Sequence, residues 1–412
     1  MTAPIDATAV AALAHQPIGW WHKGIPPSWS DRPPAQVCAS RPDPFDDGVL
    51  GPLCVLSETA LAHNLSAMAR WCLVRGVSLA PHAKTHMSPQ LLARQFEAGA
   101  WGATVATISQ VRTFRRFGVR RILLANELVD AAGLRWLAAD LADDPGVVVV
   151  CWVDSVAGVE SMTATLRDAE ATHPLDVCVE VGMPGGRTGC RGRAAVDEVA
   201  RAVTRSAHLR LVGVAGYEAA LGHDVSPESY DRVRGYLREI RAAVIRLGPA
   251  FESDEVLATA GGSTFPDAVA EELVDWPDGS TVRTVVRSGC YLTHDDGLYR
   301  NTSPLPLRSA LSVWAQVTSR PEPDLALLTM GRRDVSHDQG LPVPYGLDDS
   351  RVTALNDQHA FLSLGPSDSA RVAVGDWLRF GISHPCTTFD KWQLIPVLDD
   401  DGRVLDLVRT FF

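Results

Sequence analysis

The sequence predicts an α/β fold in which a (β/α)8 barrel is followed by a smaller β-domain. Between residues 51 and 305, eight short β-branched runs alternate with amphipathic stretches whose apolar residues recur at i, i+3, i+4 and i+7. Apolar strands that alternate with helices indicate a parallel sheet covered on both faces, and eight such units favour a closed barrel. After residue 305 long helical patterns are absent. An open doubly wound sheet is the alternative, but no G-x-G-x-x-G follows the first predicted strand.

The predicted elements divide the chain into three parts. Residues 1–50, rich in Pro and Trp, are predicted to form an N-terminal arm that packs on the β-domain. Residues 306–412 are predicted to form the β-domain itself, which ends in a hairpin turning at Asp401–Gly402. The barrel occupies 51–305, begins with a helix over 57–76, and has Ser or Asp residues as N-caps of its later helices. Its predicted strands are 77–82, 102–107, 121–126, 147–154, 175–182, 211–217, 255–261 and 284–291.

The composition excludes several classes of protein. The 412 residues are 46% hydrophobic and carry a formal net charge of −11, which supports a folded core and argues against a nucleic-acid-binding surface. No apolar run approaches the ~20 residues of a membrane-spanning helix. The N-terminus has no basic segment before its short Ala-rich run, so no signal peptide is expected. We therefore expect a cytoplasmic protein that binds neither nucleic acid nor membrane.

Lysine is rare in this chain, which makes the remaining lysines informative. Of the 38 basic residues, only Lys23, Lys84 and Lys391 are lysines. A genomic preference for arginine explains the shortage of surface lysine. Because arginine cannot lose its proton to become a nucleophilic amine, a lysine retained in this background is a candidate for amine chemistry. Lys84 is the one at the end of a predicted barrel strand, and Lys23 and Lys391 are interpreted as solvated.

Polar residues cluster at the ends of the predicted barrel strands, where the chemistry of such barrels is found. Gly261 to Thr264 form a Gly-Gly-Ser-Thr turn before a predicted helix, so their N–H groups and hydroxyls would suit a phosphate. For this motif alone, an ordinary strand-to-helix turn is the alternative interpretation. A barrel that offers both a lysine amine and a phosphate-binding turn favours a pyridoxal phosphate (PLP) site.

Six motifs together carry a resemblance to a known family: PHAKTH (81–86), VGMPGGRTG (181–189), VAGYEAALGH (214–223), AGGST (260–264), RSGCY (287–291) and SHPC (383–386). From about residue 45 to its end, the sequence resembles the D-threonine aldolase and D-serine dehydratase family, which has the alanine racemase type of fold. It is most similar to the metal-dependent dehydratase branch. The resemblance implies a PLP-binding barrel, a C-terminal β-domain that carries metal ligands, and a homodimer.

The resemblance also implies roles for individual residues. Lys84 would bind PLP through its amine and act as the catalytic residue. Arg187 would lie near the phenolic oxygen of the cofactor, although the spacer Met183–Gly186 before it is longer than in the family. The implied cofactor-binding residues are Lys84, His82, Arg187, Tyr217, Gly261, Gly262, Ser263, Thr264 and Tyr291, and the implied metal ligands are His384 and Cys386.

The H-x-C pair at 384–386 bears on both the metal and the reaction. Alone, such a pair is a weak motif, because a histidine often lies beside a core cysteine without binding metal. A thiolate ligand favours Zn²⁺, whereas a histidine with a carboxylate would suit Mn²⁺ or Mg²⁺. The aldolase branch of the family has Asp at the second position, and this chain has Cys386, as the dehydratase branch does. Two Asp-rich segments, His294–Asp296 and Asp334–Asp338, are interpreted as solvated loops.

These observations predict a PLP- and zinc-dependent dehydratase (an ammonia-lyase), with Mn²⁺ or Mg²⁺ as the alternative metals. Its substrate would be D-serine, D-threonine or a similar β-hydroxy-D-amino acid, and its products a 2-oxo acid and ammonia. A metal-dependent D-threonine aldolase that releases glycine and an aldehyde is the first alternative. A racemase would have no use for the metal pair, and a non-catalytic PLP-binding protein would lack the β-domain. A metal-dependent barrel hydrolase would bind no chromophore.

Overall fold

The computed structural model describes residues 3–412, which form two compact units. Unit 1 comprises residues 3–6, Ala69–Lys84 and Gln95–Gly289. Unit 2 comprises Ala7–Met68, Thr85–Arg94 and Cys290–Phe412. The two units therefore alternate along the chain, whereas the predicted division into 1–50, 51–305 and 306–412 is sequential.

The strands and helices are numbered here in chain order. The strands are β1 (Leu53–Ser57), β2 (Ser78–Leu79), β3 (Ala103–Val105), β4 (Arg121–Glu127), β5 (Val148–Val153), β6 (Leu175–Val181), β7 (Leu209–Gly216), β8 (Val256–Ala260), β9 (Val282–Val286), β10 (Leu311–Glu322), β11 (Leu325–Leu328), β12 (Val343–Pro344), β13 (Arg351–Leu355), β14 (Ala360–Ser363), β15 (Trp377–Gly381), β16 (Leu394–Leu398) and β17 (Val404–Arg409). The α-helices are α1 (Ala7–Ala11), α2 (Pro34–Ala39), α3 (Glu58–Arg75), α4 (Pro89–Glu97), α5 (Ile108–Arg116), α6 (Ala131–Asp143), α7 (Val156–Asp168), α8 (Arg193–Thr204), α9 (Pro227–Leu247), α10 (Pro266–Glu272), α11 (Leu298–Thr302), α12 (Pro366–Ser369) and α13 (Cys386–Phe389).

Unit 1 contains the predicted parallel barrel. Its eight strands are ordered β2-β9-β8-β7-β6-β5-β4-β3, and all neighbours pair in parallel. A parallel bridge between His82 and Thr104 links the segment after β2 to β3, which brings the two edges of the sheet together. Each predicted barrel strand overlaps one of these strands, so the predicted fold class is confirmed. The last predicted strand, 284–291, is too long because β9 ends at Val286 and the chain then turns.

The barrel forms because its strands are apolar runs and its helices have clear start signals. The side chains that fill the interior include Leu123, Val150, Trp152, Cys178 and Val285, all of them buried. Ser or Asp was predicted at the helix starts, and the side chains that accept a hydrogen bond from a first-turn N–H include Ser57, Ser88, Thr107, Asp130, Ser155 and Ser226. This packing aligns the strands in parallel, so their carboxyl ends open at one face of the barrel.

Unit 2 contains a nine-stranded, mainly antiparallel sheet. The order β13-β14-β11-β10-β1-β16-β17 runs through it, and β15 pairs with both β10 and β12. Strand β1 was not predicted. The hairpin β16–β17 was predicted, and its turn contains Gly402 at φ 76°. Side chains from the N-terminal segment, including Ile18 and Trp29, pack with Leu53, Leu394 and Val404 in the core of this unit.

Within residues 3–412, no helix combines the length and the apolar character that a membrane-spanning segment needs.

Candidate functional site

Lys84 lies at the carboxyl end of the first barrel strand, β2, in the short turn Ala83–Thr85. Active sites of such barrels are found at this end of the strands. It is half-buried, and within residues 3–412 its amine has no hydrogen bond or ion pair. The other two lysines are ion-paired: Lys23 with the buried Asp334 at 2.8 Å, and Lys391 with Asp390 at 2.9 Å. Both side chains are paired and also partly exposed to solvent. Among the described lysines, only Lys84 is left with an amine available for chemistry.

His82, two residues before Lys84, has a buried Nδ1 atom that finds no hydrogen-bond partner in the described part of the chain. Burial, followed by the positive charges of Lys84 and Arg287, holds the pKa of His82 well below its usual value. The imidazole is therefore neutral. A buried polar atom without a protein partner is the kind of group that a bound molecule satisfies.

Arg187 and Tyr217 meet each other at the carboxyl ends of neighbouring strands. The Arg187 guanidinium carbon lies 4.3 Å from the centre of the Tyr217 ring, a cation–π contact. The Tyr217 backbone N–H donates to the Tyr236 hydroxyl at 3.0 Å, which in turn donates to the Val181 carbonyl at 2.5 Å. This chain of hydrogen bonds fixes Tyr217, whereas Arg187 itself is exposed.

The Gly-Gly-Ser-Thr turn follows β8 and is shaped by Glu218. Gly261 has φ 101°, in the left-handed region that favours glycine. Its N–H and that of Gly262 donate to the two carboxylate oxygens of Glu218, at 2.8 and 2.6 Å. Thr264 Oγ1 lies 2.7 Å from His223 Nδ1. The two glycine N–H groups therefore converge on the carboxyl group of Glu218, which fixes the shape of the turn.

These residues of unit 1 fit PLP, the cofactor that the resemblance implies. An available amine at Lys84, an unpaired ring nitrogen at His82 and the hydroxyl residues Ser263 and Thr264 of the turn are groups that such a cofactor can use. The predicted residues His82, Lys84, Arg187, Tyr217, Gly261, Gly262, Ser263 and Thr264 all belong to unit 1. Tyr291 belongs to unit 2, where it is 2% exposed. Its role as a phosphate ligand stays a prediction.

A pair of acidic residues lies inside the same barrel. Glu127 ends β4, and both of its carboxyl oxygens are buried without a hydrogen-bond partner in the described residues. Burial, and then the neighbouring Glu180 carboxyl, raise the pKa of Glu127 to about 8. One proton is therefore held by this pair at neutral pH. The pair was not predicted, because in the sequence a single Glu near the end of a strand does not differ from other polar residues at strand ends.

In unit 2, three potential metal ligands come together. One ligand atom each of Cys290, His384 and Cys386 lies within 4.8 Å of the others. The two sulfurs are 3.7 Å apart, which is far longer than the ~2.05 Å of a disulfide. Two thiolates on one tetrahedral zinc, each bonded at about 2.3 Å, are separated by about 3.8 Å. The sulfur spacing therefore fits a shared metal ion.

His384 is oriented by an acidic partner. Its Nδ1–H donates to Asp338 Oδ2 at 2.7 Å, and Thr387 Oγ1 donates to the other Asp338 oxygen at 2.6 Å. Because Nδ1 is occupied, Nε2 is the ring nitrogen left for a metal. A carboxylate behind a metal-binding histidine fixes the tautomer and the ring orientation in this way. Asp338 is exposed, as the interpretation of its loop as solvated expected, but its carboxylate also contacts His384, which was not predicted.

The electrostatics of His384 and Cys386 also suit a cation, whereas the contact with Cys386, followed by burial, raises the pKa of Cys290 well above its usual value. The contact with Cys290 Sγ, helped by His384 and opposed by burial, lowers the pKa of Cys386 well below its usual value. Burial alone would lower the pKa of His384, but Cys386 and Asp338 outweigh it and raise this pKa to about 9. Without a metal, the two residues form a thiolate–imidazolium pair. A thiolate is the protonation state in which cysteine binds metal.

Comparison with known families identifies the fold. The alanine racemase N-terminal domain family matches residues 56–276, which is more than half of the chain. The chain belongs to the alanine racemase N-terminal domain family. A serine dehydratase domain matches residues 310–398, in the β-domain. The resemblance deduced from the six motifs, to the alanine racemase-like family of D-threonine aldolases and D-serine-type dehydratases, is thereby confirmed.

Individual relatives of this alanine racemase-like chain cover most of its length. It is 29% identical to D-threonine aldolase from Arthrobacter sp. over 86% of its own length and 90% of the relative's. It is 27% identical to D-threo-3-hydroxyaspartate dehydratase from Delftia sp. (strain HT23), over 86% and 95%. The crystal structure of D-threonine aldolase from Filomicrobium marinum matches with a TM-score of 0.77 at 25% identity, over 88% of this chain and 95% of that one.

Two features of this family member were not predicted. Cys290 was not predicted as a metal ligand, although it lies in RSGCY, which follows the end of strand β9, and that position was the signal available. Asp295 was interpreted as part of a solvated loop, but it is fully buried and accepts from the Gly297 and Tyr299 N–H groups at 3.0 and 2.8 Å. That interpretation was wrong because Asp295 caps a turn and does not face solvent.

Proposed function

We propose that this chain is a PLP-dependent lyase for β-hydroxy-D-amino acids and that it acts as a zinc-dependent dehydratase. The observation that carries the proposal is the sulfur-rich cluster of Cys290, His384 and Cys386, in which the two sulfurs are 3.7 Å apart. Relatives named as a D-threonine aldolase and a D-threo-3-hydroxyaspartate dehydratase support the substrate class. The products would be a 2-oxo acid and ammonia. We propose a homodimeric, cytoplasmic enzyme, as the resemblance and the composition imply.

The residues of unit 1 would hold the cofactor. Lys84 would bind it through Nζ, with His82, Arg187 and Tyr217 around the ring and the 261–264 turn at its phosphate. When bound, PLP withdraws electrons from the substrate's α-carbon and so makes the α-proton acidic. Once the substrate amine takes the place of Lys84 on the cofactor, the freed Nζ would be the base that takes this proton, since it is half-buried at the end of a barrel strand. His82, kept neutral by burial, adds no positive charge beside that amine.

The residues of unit 2 would hold the metal. Two thiolates and one imidazole select Zn²⁺ over Mn²⁺ or Mg²⁺, which prefer oxygen ligands. Three protein ligands leave one tetrahedral position for a substrate group, which is the pattern of catalytic zinc sites. There the metal would supply a Lewis acid for the departing β-hydroxyl group. Asp338 holds His384 through Nδ1 and so leaves Nε2 as the ring nitrogen that would bind the metal.

An aldolase is the second candidate function. D-threonine aldolases are among the relatives, one by sequence at 29% identity and one by structure at 25% identity. The two reactions differ in the proton that leaves first: the α-proton for elimination of water, and the proton of the β-hydroxyl group for cleavage of the Cα–Cβ bond. Cys386 in the H-x-C pair favours dehydration, because the aldolase branch implied by the resemblance has Asp there.

Product analysis separates the two reactions. The protein would be supplied with PLP and zinc and incubated with D-threonine or L-threonine, with and without a chelator. Chelator-sensitive formation of 2-oxobutanoate and ammonia from the D-isomer alone supports the dehydratase. Glycine and acetaldehyde would identify an aldolase and show that Cys386 does not determine the reaction. A protein that develops no visible absorbance band with PLP would contradict both.

A further inference from the structure

Glu218 is a fully buried acidic residue at the start of the short turn Glu218–Leu221, next to Tyr217. Its Oε2 accepts from the Gly261 N–H at 2.8 Å, and its Oε1 accepts from the Gly262 N–H at 2.6 Å. Two acceptor oxygens that face two donors match the ionised carboxylate, since a protonated acid would place a hydrogen against one N–H. Glu218 therefore holds two consecutive N–H groups, as an anionic ligand would.

The opposite side of the same turn is also held by protein. The Gly261 carbonyl accepts from the Arg287 N–H at 3.1 Å, and the Gly262 carbonyl accepts from Ser288 Oγ at 2.6 Å. All backbone donors and acceptors of the two glycines are thus paired within unit 1. The backbone of Gly261 and Gly262 is consequently fixed by hydrogen bonds through both its N–H groups and its carbonyl groups.

This arrangement bears on which groups meet a phosphate. The Gly261 and Gly262 N–H groups can bind phosphate only if Glu218 leaves them. If Glu218 stays, the donors of the turn begin at Ser263. Glu218 has no exposed surface through which to swing into solvent, and Tyr217 beside it is anchored by Tyr236. Withdrawing a buried carboxylate from two charge-assisted hydrogen bonds is costly, so the structure favours the second arrangement.

We propose that Glu218 is a positioning residue, which braces the Gly261–Gly262 turn so that Ser263 and Thr264 face the phosphate of the cofactor, and which remains in place when PLP binds. This inference rests on the proposed function, because it assumes that PLP is the ligand. It differs from the sequence-based expectation, in which the N–H groups of both glycines would hold the phosphate directly. Here the glycines supply the shape of the turn, and the hydroxyl residues supply its contacts.

The test is PLP binding by the Glu218→Gln variant of the full-length protein. The carboxamide keeps the size of the side chain but offers one acceptor oxygen and one NH2 group, so one glycine N–H faces a donor. We expect the dissociation constant of PLP, followed by the absorbance of the lysine-bound cofactor, to rise about tenfold or more. The kcat at saturating PLP is measured alongside, and we expect it to fall by a smaller factor than the dissociation constant of PLP rises, because Glu218 does not touch the reacting atoms. Glu271→Gln is the matched control, because its ion pair with Arg234 lies at the surface.

The outcomes separate the possibilities. If Glu218 were instead a placeholder that the phosphate displaces, its loss would remove a competitor, and the variant would bind PLP more tightly than wild type. Tighter or unchanged binding by the variant therefore overturns the proposal and leaves the proposed function intact. Failure of the wild-type protein to bind PLP overturns both.

A second measurement applies if the variant does not fold. A crystal structure of the PLP-loaded wild-type protein should show the Glu218 oxygens still at hydrogen-bond distance from the Gly261 and Gly262 nitrogens. Phosphate oxygens bonded to those two nitrogens would overturn the proposal.

Discussion

The cofactor turn of unit 1 and the metal-ligand cluster of unit 2 are assembled in different ways. The residues of the first follow the ends of adjacent parallel strands, β7, β8 and β9, so the barrel itself brings Glu218, Gly261 and Arg287 together. The cluster joins Cys290 to the segment 384–386 across nearly a hundred residues, and Asp338 arrives on a third loop. The first site is therefore a consequence of topology, whereas the second depends on how three loops pack.

The largest effect that separates the two regions is expected at Lys84. Lys84→Ala removes the only lysine amine that is unpaired in the described chain, so activity should fall by about 10³-fold or more. The visible band of lysine-bound PLP should disappear, while zinc content, which depends on unit 2, should stay that of the wild-type protein. Lys84→Arg is the matched control, because it keeps the positive charge without a nucleophilic amine and should be equally inactive. Substantial turnover by either variant would contradict the assignment of Lys84.

The next largest effect tests whether the cluster has three ligands. Cys290→Ser leaves one sulfur and one imidazole, so zinc should bind much more weakly. In the cobalt-substituted protein, the sulfur-to-metal charge-transfer absorbance should drop to about half, because one of two thiolates is lost. Cys54→Ser is the control, since Cys54 is a buried cysteine of the same unit and lies outside the cluster.

If Cys290 were only a core residue, both serine variants would keep the wild-type cobalt spectrum. Retention of PLP binding by Cys290→Ser would confirm that the two sites can be separated by mutation. Loss of both PLP and zinc would mean that the substitution unfolds the protein.

A smaller effect is expected for Asp338, which contacts the proposed ligand His384 but is not itself a proposed metal ligand. Asp338→Asn keeps an oxygen that can accept from His384 Nδ1–H but removes the negative charge, so zinc affinity should fall roughly 10–100-fold. Asp390→Asn is the control, because its carboxylate pairs with Lys391 in the neighbouring segment. Competition with a zinc chelator of known affinity measures both variants. Equal affinities would show that Asp338 only tethers its loop.

These contrasts explain how much the sequence could predict. The eight barrel strands were predicted because continuous apolar runs between amphipathic helices have a strong periodic signal. Lys84 and the 261–264 turn were predicted because strand ends converge in such a barrel. Cys290 and Asp338 were not, since a single cysteine or aspartate in a loop has no pattern until the loops pack. Glu218 was hidden inside a recognised motif, VAGYEAALGH, because its role depends on a glycine turn more than forty residues away.

The smallest predicted effect concerns stability and lies wholly in the barrel. The folded-state pKa of Glu127 is raised to about 8 by burial and by Glu180, with Asp154 acting in the same direction. The folded protein therefore binds this proton more tightly than the unfolded chain does, so the free energy of unfolding should fall as pH rises from about 4.5 to 8. Glu127→Gln mimics the protonated form and removes that dependence.

The variant should thus match the wild-type protein near pH 5 and exceed it near pH 8, by about 1 kcal/mol once solvent screening at this half-buried site is allowed for. Denaturant unfolding at the two pH values measures the difference, and Glu160→Gln, at an exposed position of α7, is the control. A variant less stable than wild type at pH 8 would mean that the Glu127 carboxylate is stabilised by a partner in the folded protein. Equal pH dependence in both proteins would contradict the raised pKa of Glu127.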